Sequence, residues 1–268
     1  MLRSLKLPGL FLVGAFSCAA LAQEGTSNSE LAKKAQNPIA NLISLPFQNN
    51  TNFDWGADGD TENTLNIQPV WPFEMTDNWN VITRTVIPVK SQPAILPGQD
   101  RETGLGDTTF TAFFSPSAAG KLTWGVGPVV LIPTATDDRL GSDSWGLGPS
   151  VIVLAMPGKW VVGALISQVW DVGDSGDDVS LLTLQPIINY NLADGLYLTS
   201  VPIITANWEA DSGQKWTVPV GGGVGKIFRV GKMPLNTSAQ VFYNIEKPDH
   251  VGDWSLRLQV QLMFPKKK

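Results

Sequence analysis

The stretch Trp254-Ser255-Leu256-Arg257-Leu258-Gln259-Val260-Gln261-Leu262-Met263-Phe264 decides the fold. Trp254, Leu256, Leu258, Val260, Leu262 and Phe264 share one parity, while Ser255, Arg257, Gln259, Gln261 and Met263 share the other. Alternation at period two is a β-strand with one face in an apolar medium and the other against polar groups or water. Two media fit this pattern. One is a second sheet in a soluble sandwich; the other is lipid around an outer-membrane barrel whose polar face lines a lumen.

The opening residues, MLRSLKLPGLFLVGAFSCAALAQEG, carry Arg3 and Lys6, an apolar run from Leu7 to Ala20 and the small-residue pattern Ala20-Leu21-Ala22. They read as a secretory signal peptide over residues 1–22. Pro8 and Gly9 interrupt the run, which falls short of the ~20 residues of a spanning helix. Cleavage after Ala22 removes Cys18, the one cysteine, so the mature chain has no disulfide and no thiolate to hold a metal. It also lowers Lys+Arg from 19 to 17 against 24 Asp+Glu. Such an acidic chain is a poor partner for nucleic acid, which needs a basic surface. No later stretch is a transmembrane helix, but a closed barrel also satisfies every backbone group in lipid.

Residues 23–41, QEGTSNSELAKKAQNPIAN, are polar, with one or two helical turns from Ser29 to Gln36 stopped by Pro38. They read as a periplasmic N-terminal segment or a small plug, or as a linker without fixed structure. The barrel is expected over 42–268. Within it, twelve segments of β composition are separated by turn-forming clusters, at about 42–52, 63–73, 79–89, 104–115, 122–133, 145–156, 160–171, 179–192, 196–208, 215–229, 234–246 and 254–264. An even count puts both ends of the chain on the periplasmic side. The connections alternate in length: Met156-Pro157-Gly158-Lys159 and Val230-Gly231-Lys232-Met233 are short, whereas TATDDRLGSDS (134–144) and VGDSGDD (172–178) are longer and acidic. Short periplasmic turns and long outer loops belong to a membrane barrel, and a sandwich has no reason to sort its loops this way.

Tryptophan placement agrees. Trp160 and Trp170 share a parity at the two ends of one segment, and ten residues at ~3.3 Å each, tilted ~40°, span roughly 25 Å of membrane. With Trp71, Trp79, Trp124, Trp145, Trp208, Trp216 and Trp254 they are candidates for aromatic girdles at the headgroup level. The all-β reading is therefore an antiparallel transmembrane barrel of about twelve strands in the bacterial outer membrane.

The stretches Ser44-Leu45-Pro46-Phe47-Gln48-Asn49-Asn50, Asn80 to Val89 (NVITRTVIPV), Gly104-Leu105-Gly106-Asp107-Thr108 and Phe113-Phe114-Ser115-Pro116 resemble a family of bacterial outer-membrane proteins, the phenol-degradation MetA-pathway family, whose members also carry the mistaken label neuromedin U. The resemblance runs through nearly the whole mature chain. It implies an outer-membrane transporter, sometimes tied to aromatic-compound pathways, and brings no catalytic residues with it.

If Trp254 and Leu256 face lipid, then Arg257, Gln259 and Gln261 line the lumen, and the same rule adds Gln185, Asn189, Gln240 and Asn244. Arg84 lies opposite the Val81/Thr83/Thr85/Ile87 face and also points inward, since an arginine facing mid-membrane lipid costs about 2–4 kcal/mol. Pairing of the third and fourth segments places Arg84 near Thr109 and diagonal to Asp107, which predicts an Arg84–Asp107 ion pair that either selects solutes or fills the lumen. The glycine-dense Val218 to Lys226 lacks the ending of a phosphate loop and suits strong curvature or close approach of the N-terminal segment. Lys226 is expected to snorkel to the interface unless a bulge turns it.

Enzymatic chemistry has little to build on. His250 is the sole histidine, in an Asp/Gly loop, and no serine carries a nucleophile signature. Asp171, Asp174, Asp177 and Asp178 could meet a hard cation but lack the spacing of a dedicated calcium loop, so no metal and no cofactor is expected. The reading is a passive channel or facilitator for small, hydrophobic or aromatic solutes; a closed structural or surface-interaction barrel is the alternative, and a lipid hydrolase comes last. The expected partners are membrane lipid and lipopolysaccharide, a small-molecule solute and the barrel assembly machinery. Pro265 and the three lysines after Phe264 overhang the aromatic residue on which barrels usually finish.

Overall fold

A computed structural model describes residues 28–264, apart from 57, 97, 119, 174 and 175. The signal-peptide reading, Cys18 and the overhang after Phe264 lie outside the described residues. A helix, α1 (Asn28–Ala35), precedes fifteen strands. The first seven are β1 (Ile43–Trp55), β2 (Asp60–Ile67), β3 (Val70–Thr76), β4 (Trp79–Gln92), β5 (Glu102–Leu105), β6 (Thr108–Pro116) and β7 (Leu122–Ile132). They are followed by β8 (Gly146–Ala155), β9 (Trp160–Asp171), β10 (Ser180–Asn191), β11 (Leu196–Ser200), β12 (Ile204–Asn207), β13 (Trp216–Val230), β14 (Met233–Glu246) and β15 (Trp254–Phe264).

These strands form one sheet, each antiparallel to its neighbours, and β15 returns to pair with β1 from Ile43↔Phe264 to Asn52↔Ser255. The result is a closed barrel of twelve spans, because three spans are each built from two strands. β2 and β3 are separated at Gln68-Pro69, β5 and β6 at Gly106-Asp107, and β11 and β12 at Val201-Pro202-Ile203. Proline removes a ladder donor, and one sits at the first and third breaks, although Pro46, Pro88 and Pro186 lie within unbroken strands. Closure leaves no sheet edge, which lipid demands.

Burial follows the expected parity. In β15, Arg257, Gln261 and Met263 are buried, whereas Trp254, Leu258, Val260 and Phe264 are exposed on the outer wall. Trp160 and Trp170 likewise face outward from the two ends of β9. The turn from β13 to β14 has only Gly231 and Lys232 between paired Val230 and Met233, and Gly231 has φ +60°, the left-handed conformation that a two-residue hairpin needs.

Inside the barrel, α1 packs against the 3-10 turn Ala193–Gly195, β13 and β14. Leu31 and Ala32 join Leu42, Tyr197, Ile227 and Met263 in one buried cluster. Ile39 joins a second, formed by inward residues of β3, β4, β6, β8, β9 and β10: Val70, Ile82, Phe113, Ile152, Leu154, Val161, Leu165 and Ile187. Residues 28–42 thus lie within the lumen at its short-turn end, and an apolar core fills much of that half.

Candidate functional site: the lumen and its mouths

Trp71, Trp79, Trp124 and Trp160 stand near the short turns, and Trp145, Trp170, Trp208, Trp216 and Trp254 near the long loops, where aromatic girdles belong. Several meet edge-on: Trp79 with Trp124 at 5.9 Å between centroids, Trp208 with Trp216 at 5.4 Å, and Tyr243 with Trp254 at 4.9 Å.

Midway down the lumen is a cavity of about 130 Å³. Of the residues expected to line the lumen, Arg84, Gln185, Asn189, Gln240, Arg257, Gln259 and Gln261 all border it. Three others lie elsewhere. Asn244 sits at the long-loop end, where its Nδ2 donates to the Gly252 carbonyl at 2.7 Å. Thr109, on β6, pairs with Val86 and Leu131. Asp107 lies at the long-loop mouth. The Arg84–Asp107 ion pair does not form. Arg84 stands opposite Thr111, two residues beyond Thr109, and its Nη2 donates to Gln68 Oε1 at 2.7 Å. The long loop between the two strands does not fix their register; side-chain packing does, with outward Phe110 and Phe114 against Thr85 and Val81.

Arg257 explains how the break at 201–203 is tolerated. Its Nη1 donates to the Val201 carbonyl at 2.5 Å and its Nε to Asn50 Oδ1 at 2.8 Å, while Gln240 Oε1 accepts from the Val201 N–H at 3.0 Å. Val201 has left the ladder, and these two side chains replace its lost backbone partners. The Arg257 guanidinium also lies 4.9 Å from the centre of the Phe242 ring. The glycines of β13 make room on this side. A Cβ on Gly225 would fall 2.1 Å from the Tyr197 ring, so the close approach is made by Tyr197, which in turn carries α1. Tyr197 donates to Asn236 Oδ1 at 2.6 Å, and Asn236 Nδ2 donates to Gln261 Oε1 at 2.9 Å, a chain that fixes the polar wall. Lys226 points outward near the short turns, as a snorkelling residue does.

The long-loop mouth is narrowed by residues 133–145, which fold inward. The Asp107 carboxylate accepts from Ser142 N at 2.7 Å, Ser142 Oγ at 2.9 Å and Ala135 N at 3.2 Å. Lys90 Nζ donates to the Leu140 carbonyl at 2.8 Å, and Leu140 is wholly buried. Arg139 bridges Glu102 at 2.6 Å and Asp137 at 3.2 Å. A backbone hydrogen bond from Arg139 holds the Asp137 carboxyl below its usual pKa. His250 lies edge-on to Trp55 at 5.4 Å, and burial pushes its pKa below the ordinary value. Asp249, its neighbour, accepts instead from Gln214. Among the described residues no group of three His, Cys, Asp or Glu could hold a metal; Asp174 lies outside them.

Several residues of this site escape a reading of the sequence. Gln68, Asn50 and Val201 partner the two arginines, and the inward apolar cluster around Phe113 leaves strands apolar on both faces. The reciprocal amide pair of Gln36 and Asn191, at 2.9 and 3.1 Å, ties the N-terminal segment to β10. Pro69 and Pro202 mark two of the breaks, but prolines inside unbroken strands, such as Pro88 and Pro186, carry the same sequence signal without a break.

The family described as "Putative MetA-pathway of phenol degradation" matches residues 46–227. No curated protein sequence matches the chain. Among solved structures, an outer membrane channel from Pseudomonas putida F1 superposes with a TM-score of 0.62 at 18% identity, covering 83% of this chain and 94% of that one. Outer membrane phospholipase A from Escherichia coli (TM-score 0.44, 14% identity, 90% and 99% covered) and the CymD monoaromatic hydrocarbon channel (0.46, 8%, 90% and 92%) superpose too loosely to bear on function.

Proposed function

Because this chain belongs to the MetA-pathway family of phenol degradation, as a closed barrel of the bacterial outer membrane, we propose that it is a passive channel or facilitator for small hydrophobic or aromatic solutes. The observation that carries this reading is the cavity of about 130 Å³ in mid-lumen, bordered by amides and arginines together with Val70 and Ile187. It is close to the ~150 Å³ of a cavity that accepts benzene, so the volume suits a single ring. The lumen is narrowed at both ends, by the 133–145 loop at one mouth and by residues 28–42 at the other. We read the N-terminal segment as a plug and the nine tryptophans as girdles. Solute descends its own gradient, and plug undocking opens the path.

One observation favours the second reading, a closed structural barrel: Phe113, Ile152, Leu154 and Val161 are wholly buried inside the turn-side half. Mobility of residues 28–42 separates the two. A hydrolase is the weakest reading, since His250 packs edge-on against Trp55 from a loop and its acidic neighbour is engaged elsewhere. Membrane lipid surrounds the barrel; lipopolysaccharide at the acidic loops and the assembly machinery at β15 are the further partners we infer. The test is uptake of a labelled aromatic solute at low external concentration by cells with and without the chain. Slower uptake in its absence is expected, and equal rates would overturn the facilitator role.

A further inference from the structure

The charge balance of the lumen has a consequence for what binds there. Arg84, Arg257 and Lys34 border the mid-lumen cavity, and no Asp or Glu is among the described residues that line it. Two inward carboxylates toward the long-loop mouth are already engaged. Glu62 accepts from Asn52 and Thr64, and Asp107 from Ser142 and Ala135. Both arginines instead meet neutral acceptors: Gln68 for Arg84, and Asn50 with the Val201 carbonyl for Arg257. Each guanidinium carries five N–H donors in a fixed fork, so most of these donors have no protein acceptor among the described residues. Arg257 is only 7% exposed. A buried cation without a counter-charge is costly, and low-dielectric walls focus its field on the cavity, raising the local concentration of anions.

We propose that this cavity is a binding site for a small organic monoanion, a carboxylate attached to an apolar body the size of one ring. The inference rests on the channel reading only for its transport consequence, because binding can be measured without flux. A carboxylate matches the planar fork of arginine, which can hold it through two parallel hydrogen bonds. The amides of Gln185 and Asn189 supply further donors from the opposite wall, and Val70 and Ile187 offer an apolar surface to the body of the ligand. Cations are disfavoured at the same point, so the lumen passes anions in preference.

The test uses the full-length protein refolded in detergent and then in planar bilayers. Benzoate and its neutral counterpart benzamide are titrated separately by calorimetry. Benzoate is expected to bind at least tenfold more tightly, and Arg84→Gln is expected to cost it about tenfold or more, the worth of a hydrogen bond to a charged group. Because the wild-type comparison needs no variant, failure of Arg84→Gln to fold leaves the test intact. In bilayers under a salt gradient the reversal potential is expected to show anion preference. Equal affinity for the two ligands, or a cation-selective current, overturns the anion site and leaves a channel standing. Selective benzoate binding in a protein that carries no current upholds the site and overturns the channel.

Discussion

Replacing Ile39 by alanine probes whether residues 28–42 behave as one removable unit. Ile39 is 4% exposed and packs among Val70, Ile82, Phe113, Ile152 and Leu154. Truncating a buried isoleucine costs about 2–5 kcal/mol, the lost transfer energy plus the cavity left behind. In the undocked segment the side chain is already in water, so the penalty falls on the docked state alone. With ~1.4 kcal/mol per factor of ten, even a loss of about 2–3 kcal/mol lowers the docked-to-undocked ratio roughly 30- to 150-fold. What still holds the segment is Leu31 with Ala32 on the Tyr197 cluster, and the Gln36–Asn191 amide pair, worth ~1 kcal/mol per bond. Single-channel recording at fixed voltage reads the result as the fraction of time in the more conductive state, expected to rise severalfold or more. The barrel's heat-modifiable migration on gels serves as the folding control. An unchanged open fraction, with residues 28–42 as protected from hydrogen exchange as in the wild type, refutes the reasoning.

Three further outcomes follow from single contacts. Gly225→Ala drives a methyl group into the Tyr197 ring and is expected to destabilise the barrel by about 1–3 kcal/mol, whereas Gly120→Ala, with no neighbour closer than 3.6 Å, stays within ~0.5 kcal/mol; thermal unfolding in detergent compares them. Asp107→Ala removes the three hydrogen bonds this carboxylate makes to the 133–145 loop, leaving the Lys90 and Arg139 contacts, and faster hydrogen exchange confined to that loop is the expected signature. His250 titrates below 6.5 because the neutral ring is the one buried against Trp55. The unfolded loop then binds the proton first, so the packing of residues 247–253 is stable above pH 6.5 and weakens as pH falls through the folded pKa. An NMR titration gives the pKa, and His250→Gln should abolish that pH dependence.

The outer wall was legible because lipid imposes one rule on every strand. Alternation in β15 and the spacing of Trp160 and Trp170 already place residues on the outer or inner face, and seven of the predicted lumen residues border the cavity. The interior follows no such rule. Phe113 is inward and Phe114 outward, so β6 reads as apolar on both faces, and the apolar filling of the turn-side half leaves no period-two signature. Register was a second blind spot. The span from Gln92 to Glu102 constrains nothing, and a two-residue error moved Arg84 from Thr111 to Thr109 and suggested an ion pair with Asp107. Had the register been known, Asp107 would still have been claimed by a loop thirty residues downstream, a contact that only tertiary structure reveals. Likewise the helix at Asn28–Ala35 is foreshadowed by its composition, but its lodging inside the barrel depends on Tyr197 and Ile227 from distant strands.

The central claim, a lumen that conducts, is tested most directly by current through the purified full-length protein in a planar bilayer. Discrete, reproducible steps are predicted, with the fraction of time spent at the larger step raised by Ile39→Ala. A bilayer that stays silent at every voltage for both proteins, although each migrates as a folded barrel, contradicts the account and leaves the closed structural barrel in its place.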